Sequence, residues 1–261
     1  IVFVIVLALI VGIPTLRLRA DYLAIVTIAV AEIVRLFVRS VKFNYMFGGT
    51  EGISNFSRDY RDLNPFDPGA TYGFGPFTFS GYTLITVLVG WVLVGIFSLF
   101  VWQLMRSPWG RVIKGIREDE DAVKSLGKNV YSYKMQSLIL GGVIGTVSGM
   151  IFALDRGSVQ PDNYSRDLTF YILTALVLGG VAKVSGSIFG SMMFWGLFTF
   201  MDNFLRQVAQ DPVSIGNFTI MKSTQVGQLN FILIGITLIL LMVFRPQGVF
   251  GNRKEMAFDG H

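Results

Sequence analysis

Apolar residues run almost unbroken through seven stretches of the chain, and polar residues gather in the linkers between them. The first stretch covers Ile1 to Ile13 and stops before Pro14. Six more follow, at about Asp21 to Val38, Ser80 to Met105, Met135 to Leu154, Leu168 to Ala182, Ser187 to Leu205 and Leu229 to Phe244. A helix crosses about 30 Å of hydrocarbon with roughly 20 residues, and each of the six is long or almost long enough. The expected fold is therefore all-α, a polytopic transmembrane helical bundle. The first run is too short to cross alone. With no initiating Met and no basic leader before it, the expectation is a single transmembrane domain over 1–261 that lacks its natural N-terminal spans.

Glycine marks two of the stretches. Gly179, Gly180, Gly186 and Gly190 flank Lys183 and Ser185, so Leu168 to Leu205 is either two short helices joined by a tight turn or a re-entrant pair; irregular backbone at that depth must be buried in protein. Gly141, Gly145 and Gly149 recur every four residues, the small-residue spacing of closely packed membrane helices. We read that stripe as packing.

The polar block at 106–134 has its own grammar. Ser107 caps a helix whose first residue is Pro108, and Val112, Ile113 and Ile116 form an apolar ridge along it. The acidic run Glu118, Asp119, Glu120 and Asp121 suits the start of a second helix ending near Gly127, with Ala122, Val123 and Leu126 on its apolar side. Two short amphipathic helices lying along one membrane face result. By residues alone such a block is either a solvated connector or a surface that docks into a soluble partner. The linker at 39–79 is rich in Gly, Pro, Asn and aromatics and is too long for a simple turn. It contacts a partner outside the membrane or folds back as a lid.

Composition fixes the solvent. Hydrophobic residues make up 52% and charged residues 15%, and the mean hydropathy is +0.57, leaving too little polar surface for a soluble domain of this length. The net charge of +5 would suit nucleic acid, but the basic residues sit at the ends of apolar stretches and act as topology signals. Placing 106–134 in the cytoplasm puts more of them inside than outside, the orientation the positive-inside rule favours. The chain has no Cys, and its one His is His261, so no thiolate or imidazole chemistry and no metal site is expected.

One stretch carries charge within it. Glu32 and Arg35 each cost about 2.5–3.5 kcal/mol near a membrane midplane, while large apolar neighbours return about 0.3–0.6 kcal/mol each, so insertion of Asp21 to Val38 is near balance. That helix cannot face lipid all round. Glu32 either lines a translocation path or forms, with Arg35, an intramembrane pair that sets packing.

Five ordered motifs carry a family resemblance. Arg106 to Gln136 (RSPWGRVIKGIREDEDAVKSLGKNVYSYKMQ) resembles the cytoplasmic coupling segment of the permeases of branched-chain amino-acid ATP-binding-cassette importers. Arg17 to Arg35 (RLRADYLAIVTIAVAEIVR), Gly48 to Ile53 (GGTEGI), Val177 to Gly190 (VLGGVAKVSGSIFG) and Phe244 to Gly251 (FRPQGVFG) resemble that family's other landmarks in the same order. Within the family the chain is similar to the permease with the longer outer loop.

The resemblance implies a multi-pass protein of a bacterial inner or plasma membrane that forms the path for branched-chain or related amino acids. It implies a second homologous permease, two cytoplasmic ATPase subunits and an extracytoplasmic solute-binding protein as partners, and no nucleic acid. It also implies that Gly110, Arg111, Glu118, Asp119, Ala122 and Gly127 form the ATPase-coupling surface, with Thr27 and Glu32 as path residues. The chain has no GxxxxGK[ST] phosphate loop, so it is expected to be no enzyme and to hold no cofactor, ATP and Mg lying on partner subunits. Relatives that carry urea or short amides, and an ion-coupled secondary transporter, are the alternatives.

Overall fold

The computed structural model describes residues 1–18, 20–67, 70–74, 77–180, 183–208, 213–215, 218–221, 229, 232–233, 235–236, 239–240, 243–244 and 248–250. The chain divides into two compact units, Ile1–Arg166 and Asp167–His261.

In the first unit, α1 (Val2–Thr15) and α2 (Ala20–Arg39) are followed by the outer segment with α3 (Asn44–Phe47), β1 (Ile53–Ser54), α4 (Arg58–Asp62), β2 (Thr71–Phe74) and β3 (Phe77–Ser80). Then come α5 (Gly81–Arg106), the short pair α6 (Pro108–Glu118) and α7 (Glu120–Ser125), and α8 (Val130–Arg156). β4 (Ser158–Val159) and a 3-10 turn, Pro161–Tyr164, close the unit. The long helices start where short polar side chains accept the first free amides: Ser80 Oγ from Thr83 N, and Asn129 Oδ1 from Ser132 N. α8 ends on Gly157 in the left-handed conformation, φ 64°.

α1 runs one residue past Pro14, where the sequence pattern had it stop. Its last turn still closes, because Leu16 N donates to Gly12 O (3.0 Å) and Thr15 Oγ1 to Val11 O (2.7 Å). At 14 residues it is about 21 Å long, short of a full crossing. α1 packs along α8, and the glycines that allow the approach are Gly12, whose added Cβ would meet Met135 Sδ at 2.9 Å, and Gly142, whose Cβ would lie 3.2 Å from Val4. The Gly141/Gly145/Gly149 stripe is otherwise: among the described residues a Cβ on Gly141 or Gly145 meets nothing within 4 Å. Close packing uses the face one residue along.

The 39–79 linker is folded. β1 pairs antiparallel with β4 (Ile53 with Val159), and β2 with β3 (Thr71 with Ser80). GGTEGI is a tight turn in which Gly52 N donates to Gly48 O (3.0 Å), and it seats β1 against the backbone of Val159 and Gln160.

The second unit holds α9 (Arg166–Gly179, which opens on the last residue of the first unit) and α10 (Val184–Val208), with a hairpin of β5 (Val213–Ile215) and β6 (Phe218–Met221). α9 has 14 residues and is too short to cross alone; Val184–Gln207 is long and apolar enough. The two helices meet at bare backbone, a Cβ on Gly179 colliding with Gly186 and lying 2.8 Å from Gly190 Cα. The last carbonyls of α9 are then satisfied from far along the chain: Val249 N donates to Leu178 O (2.8 Å) and Phe250 N to Gly179 O (3.2 Å). This is why VLGGVAKVSGSIFG and the end of FRPQGVFG belong together. Val181, Ala182 and Arg245 to Gln247, like much of the expected span Leu229 to Phe244, lie outside the described residues.

Among the described residues three helices, Gly81–Arg106, Val130–Arg156 and Val184–Gln207, are long and apolar enough to cross a membrane. Leu88, Trp91, Val92, Ile96 and Leu99 of α5 are all exposed, a surface that water would not tolerate and hydrocarbon would.

Candidate functional site

The block between α5 and α8 folds as an elbow. Ser107 ends α5 and starts α6 in one residue: its Oγ donates to Leu104 O (2.6 Å) and accepts from Gly110 N (3.4 Å), and Pro108 takes the first helical position. The turn is so tight that a Cβ on Gly110 would lie 2.5 Å from Met105 Cα and its carbonyl oxygen. Only glycine fits. Asp119 then ends α6 and caps α7, its Oδ1 accepting from Asp121 N and Ala122 N, both at 2.9 Å. Gly127, φ 74°, turns the chain toward α8.

One side of this elbow is clamped. Trp109 Nε1 donates to Gln136 Oε1 (2.7 Å), Val123 is buried against Gly115, and Glu120 takes Lys134 Nζ at 2.5 Å and Lys124 Nζ at 3.1 Å. The hydrogen bond from Lys134, followed by that from Lys124, holds the Glu120 carboxyl below the usual glutamate range. Glu120 in turn, with Asp121, holds the Lys124 ammonium above its ordinary value. The other side faces solvent. Arg111, Glu118, Asp119, Ala122 and Gly127 are exposed, whereas Gly110 is buried as a hinge. Leu126 departs from its expected place on the packed side: it is 78% exposed, because α7 ends at Ser125 and the chain turns outward there.

Between α1, α2 and α8 lies a cavity of about 1110 Å³. It runs from the elbow, where Ile113, Ile116, Arg117, Glu120 and Lys134 line it, along α2 to Arg35, Val38, Pro161 and Tyr164 at the far end. α2 is two-faced at helical spacing: Leu23, Thr27, Val30, Val34 and Val38 look into the cavity, and Tyr22, Ile25, Ile33 and Leu36 look out. The wall is overwhelmingly apolar, and its volume exceeds the about 300–1,000 Å³ of a fitted small-molecule pocket.

Of the two residues expected on a path, Thr27 lines the cavity midway, its hydroxyl donated back to Leu23 O (2.9 Å) and Ala24 O (3.0 Å). Glu32 is not in the wall. Its carboxylate grips Arg35 through two bonds, Oε1 with Nη2 at 2.6 Å and Oε2 with Nε at 3.0 Å, and Arg35 is the one that lines the cavity. Arg35 Nη1 reaches Asp162 Oδ1 at 2.6 Å, and Arg39 Nη1 the same oxygen at 3.3 Å. Asp162 and the Glu120–Lys134 clamp were missed by the sequence reading. The separation of 127 positions between Arg35 and Asp162 leaves no periodic signal, but Lys134, in the first turns of α8, is a visible partner for the acidic run.

The chain is 29% identical to the high-affinity branched-chain amino acid transport system permease protein LivM of Salmonella typhimurium and 30% identical to that of Escherichia coli, in each case over 91% of this chain and 52% of the relative. The chain thus spans about half the length of these curated relatives. No solved structure matches. The family described as "Branched-chain amino acid transport system / permease component" matches residues 1–244. A membrane-spanning helical chain matched over nearly its whole length by that one family belongs to it: this protein is a member of the branched-chain amino acid transport system permease components.

Proposed function

We propose that the chain is the path-forming permease subunit of an ATP-driven importer of branched-chain or related amino acids in a bacterial inner or plasma membrane. It works with a second homologous permease, two cytoplasmic ATPase subunits that hold ATP and Mg, and an extracytoplasmic solute-binding protein. The observation that carries this is the elbow, whose one side is clamped to α8 and whose other side presents Arg111, Glu118, Asp119 and Ala122 to solvent. α6 and α7 are the coupling helices, with Gly110 and Gly127 as their turns. When the ATPases close on ATP they displace the elbow; Trp109–Gln136 and Glu120–Lys134 pass the displacement to α8, which walls the cavity. No covalent chemistry on the solute is needed, and the chain acts as a transport subunit. The 39–79 segment lies outside the membrane, where the solute-binding protein docks.

The cavity wall bears on the solute. Its valines and leucines suit an aliphatic side chain, apolar surface that urea and the smallest amides do not carry, favouring the amino-acid reading. The test is Arg111→Ala with Glu118→Ala in the complete complex. Co-purification of the ATPases and ATP-dependent uptake should both fall while the permease still reaches the membrane. Unchanged assembly and unchanged uptake would refute the coupling surface.

A further inference from the structure

Arg35 lines the far end of the cavity, and around it Glu32, Arg39 and Asp162 join in ion pairs, two cations against two anions, with Arg166 near enough to act on Glu32. They are not arranged alike. Glu32 and Arg35 belong to one helix and form a two-bond fork, so the guanidinium is held in a fixed plane with its remaining edge, Nη1, directed at Asp162. Asp162 meets that edge from a separate element, the 3-10 turn after β4, through a single oxygen that it shares with Arg39. The Arg35 side chain is 16% exposed, that of Asp162 53%. One partner is therefore fixed and the other exchangeable.

We propose that Asp162 stands where a substrate carboxylate binds, and that an α-amino acid enters the path by exchanging with it on Arg35. This rests on the amino-acid reading above and names the group that handles the zwitterion. In the exchange the substrate carboxylate takes Arg35 Nη1, Asp162 keeps Arg39 and accepts the substrate ammonium, and Glu32 holds the fork throughout. A neutral zwitterion adds one charge of each sign, so no charge is left unpaired, which is the condition for moving ions into a low-dielectric site. The aliphatic side chain then lies on Val34, Val38 and Val159, which line the cavity beside Arg35. The turn bearing Asp162 is positioned for this: Tyr164 OH donates to Gly149 O (3.1 Å), its ring packs edge-on against Phe152 at 5.7 Å, and β4 before it pairs with β1. A purely structural strap would add little stability at so exposed a position.

The chain has no cysteine, so Val34→Cys gives a single reporter in the cavity wall beside Arg35. In the assembled permease complex in nanodiscs, the rate of its modification by a methanethiosulfonate reagent is measured with L-leucine or with isoamylamine, the same side chain and ammonium without the carboxylate. At about ten times its dissociation constant L-leucine leaves about a tenth of sites free, so modification should slow about ten-fold. Isoamylamine should not slow it. In the Glu32→Gln, Arg35→Gln background, which removes both charges with little change of shape, protection by L-leucine should vanish; Arg35→Lys, which keeps the charge and the pairing but not the fork, should weaken it and serves if the double variant fails to fold. Equal protection by the two ligands, or protection that survives in these backgrounds, would overturn the proposal. So would absence of protection in a complex that imports L-leucine with ATP. If the complex imports no aliphatic amino acid, the substrate reading itself fails, a result distinct from the others.

Discussion

Replacing Asp119 by alanine or by asparagine separates two roles that coincide in one carboxylate. As the cap of α7 it accepts two backbone N–H bonds at 2.9 Å; as an exposed acid it offers a charge to a partner. α7 has only six residues, too short to hold itself together, so its order depends on that cap and on the Glu120–Lys134 clamp. Loss of an N-cap costs about 0.5–2 kcal/mol, whereas asparagine caps about as well as aspartate. Asp119→Ala should therefore raise amide exchange over 120–125 by about two- to thirty-fold, a tenfold change corresponding to about 1.4 kcal/mol. Asp119→Asn should move it by a small fraction of that, since Glu120 and Asp121 still supply negative charge to the first turn. Hydrogen exchange with mass spectrometry on purified protein reads this directly, and ATPase co-purification beside it reports the partner. Equal acceleration in the two variants would refute the capping argument; normal exchange with lost co-purification in Asp119→Asn would make the charge itself the contact.

Three further outcomes follow from the same geometry. Gly110→Ala places a Cβ against the Met105 backbone and should destabilise the elbow by about 1–3 kcal/mol, read as a lowered thermal midpoint; an unchanged midpoint would mean the α5–α6 turn is looser than described. Because the Lys134 bond depresses the Glu120 carboxyl, the clamp's contribution is complete above the ordinary glutamate value of 4.5 and fades as pH falls through the lower folded value. The stability difference between wild type and Glu120→Gln should accordingly be constant from neutral pH to about 4.5 and shrink only below it; shrinkage already near pH 6 would contradict the clamp. Gly179→Ala sets a methyl group against the Gly186 backbone, where nothing flexible can yield, so size-exclusion profiles of the variant should show loss of the folded peak, and a normal profile would count against the α9–α10 contact.

Local grammar carried much of this fold into the sequence. Ser107–Pro108 and Asp119 state the starts of α6 and α7 because a cap needs only its own two or three neighbours, and the apolar stretches state α5, α8 and α10 because lipid imposes their length, whereas α9 at 14 residues stops short of it. What depends on distant partners was not legible. Spacing alone marked Gly141, Gly145 and Gly149 as the contact stripe, but which side of α8 meets α1 depends on Gly12 and Val4, and the choice fell on Gly142. Glu32 was visible as a charge in an apolar helix, yet its role depends on Arg35 and, through it, on Asp162 in another element. Leu126 fitted the apolar side of α7 by periodicity, which says nothing of a helix that ends one residue earlier.

The most direct measurement of the central claim, that this permease is driven through its elbow by ATPases outside the chain, is uptake of L-leucine into proteoliposomes holding the complete complex and its binding protein. Hydrolysable ATP should support accumulation, a non-hydrolysable analogue should not, collapse of the ion gradients should leave the rate unchanged, and Arg111→Ala with Glu118→Ala should lower it. Accumulation that proceeds without ATP and disappears with the ion gradient would contradict the account.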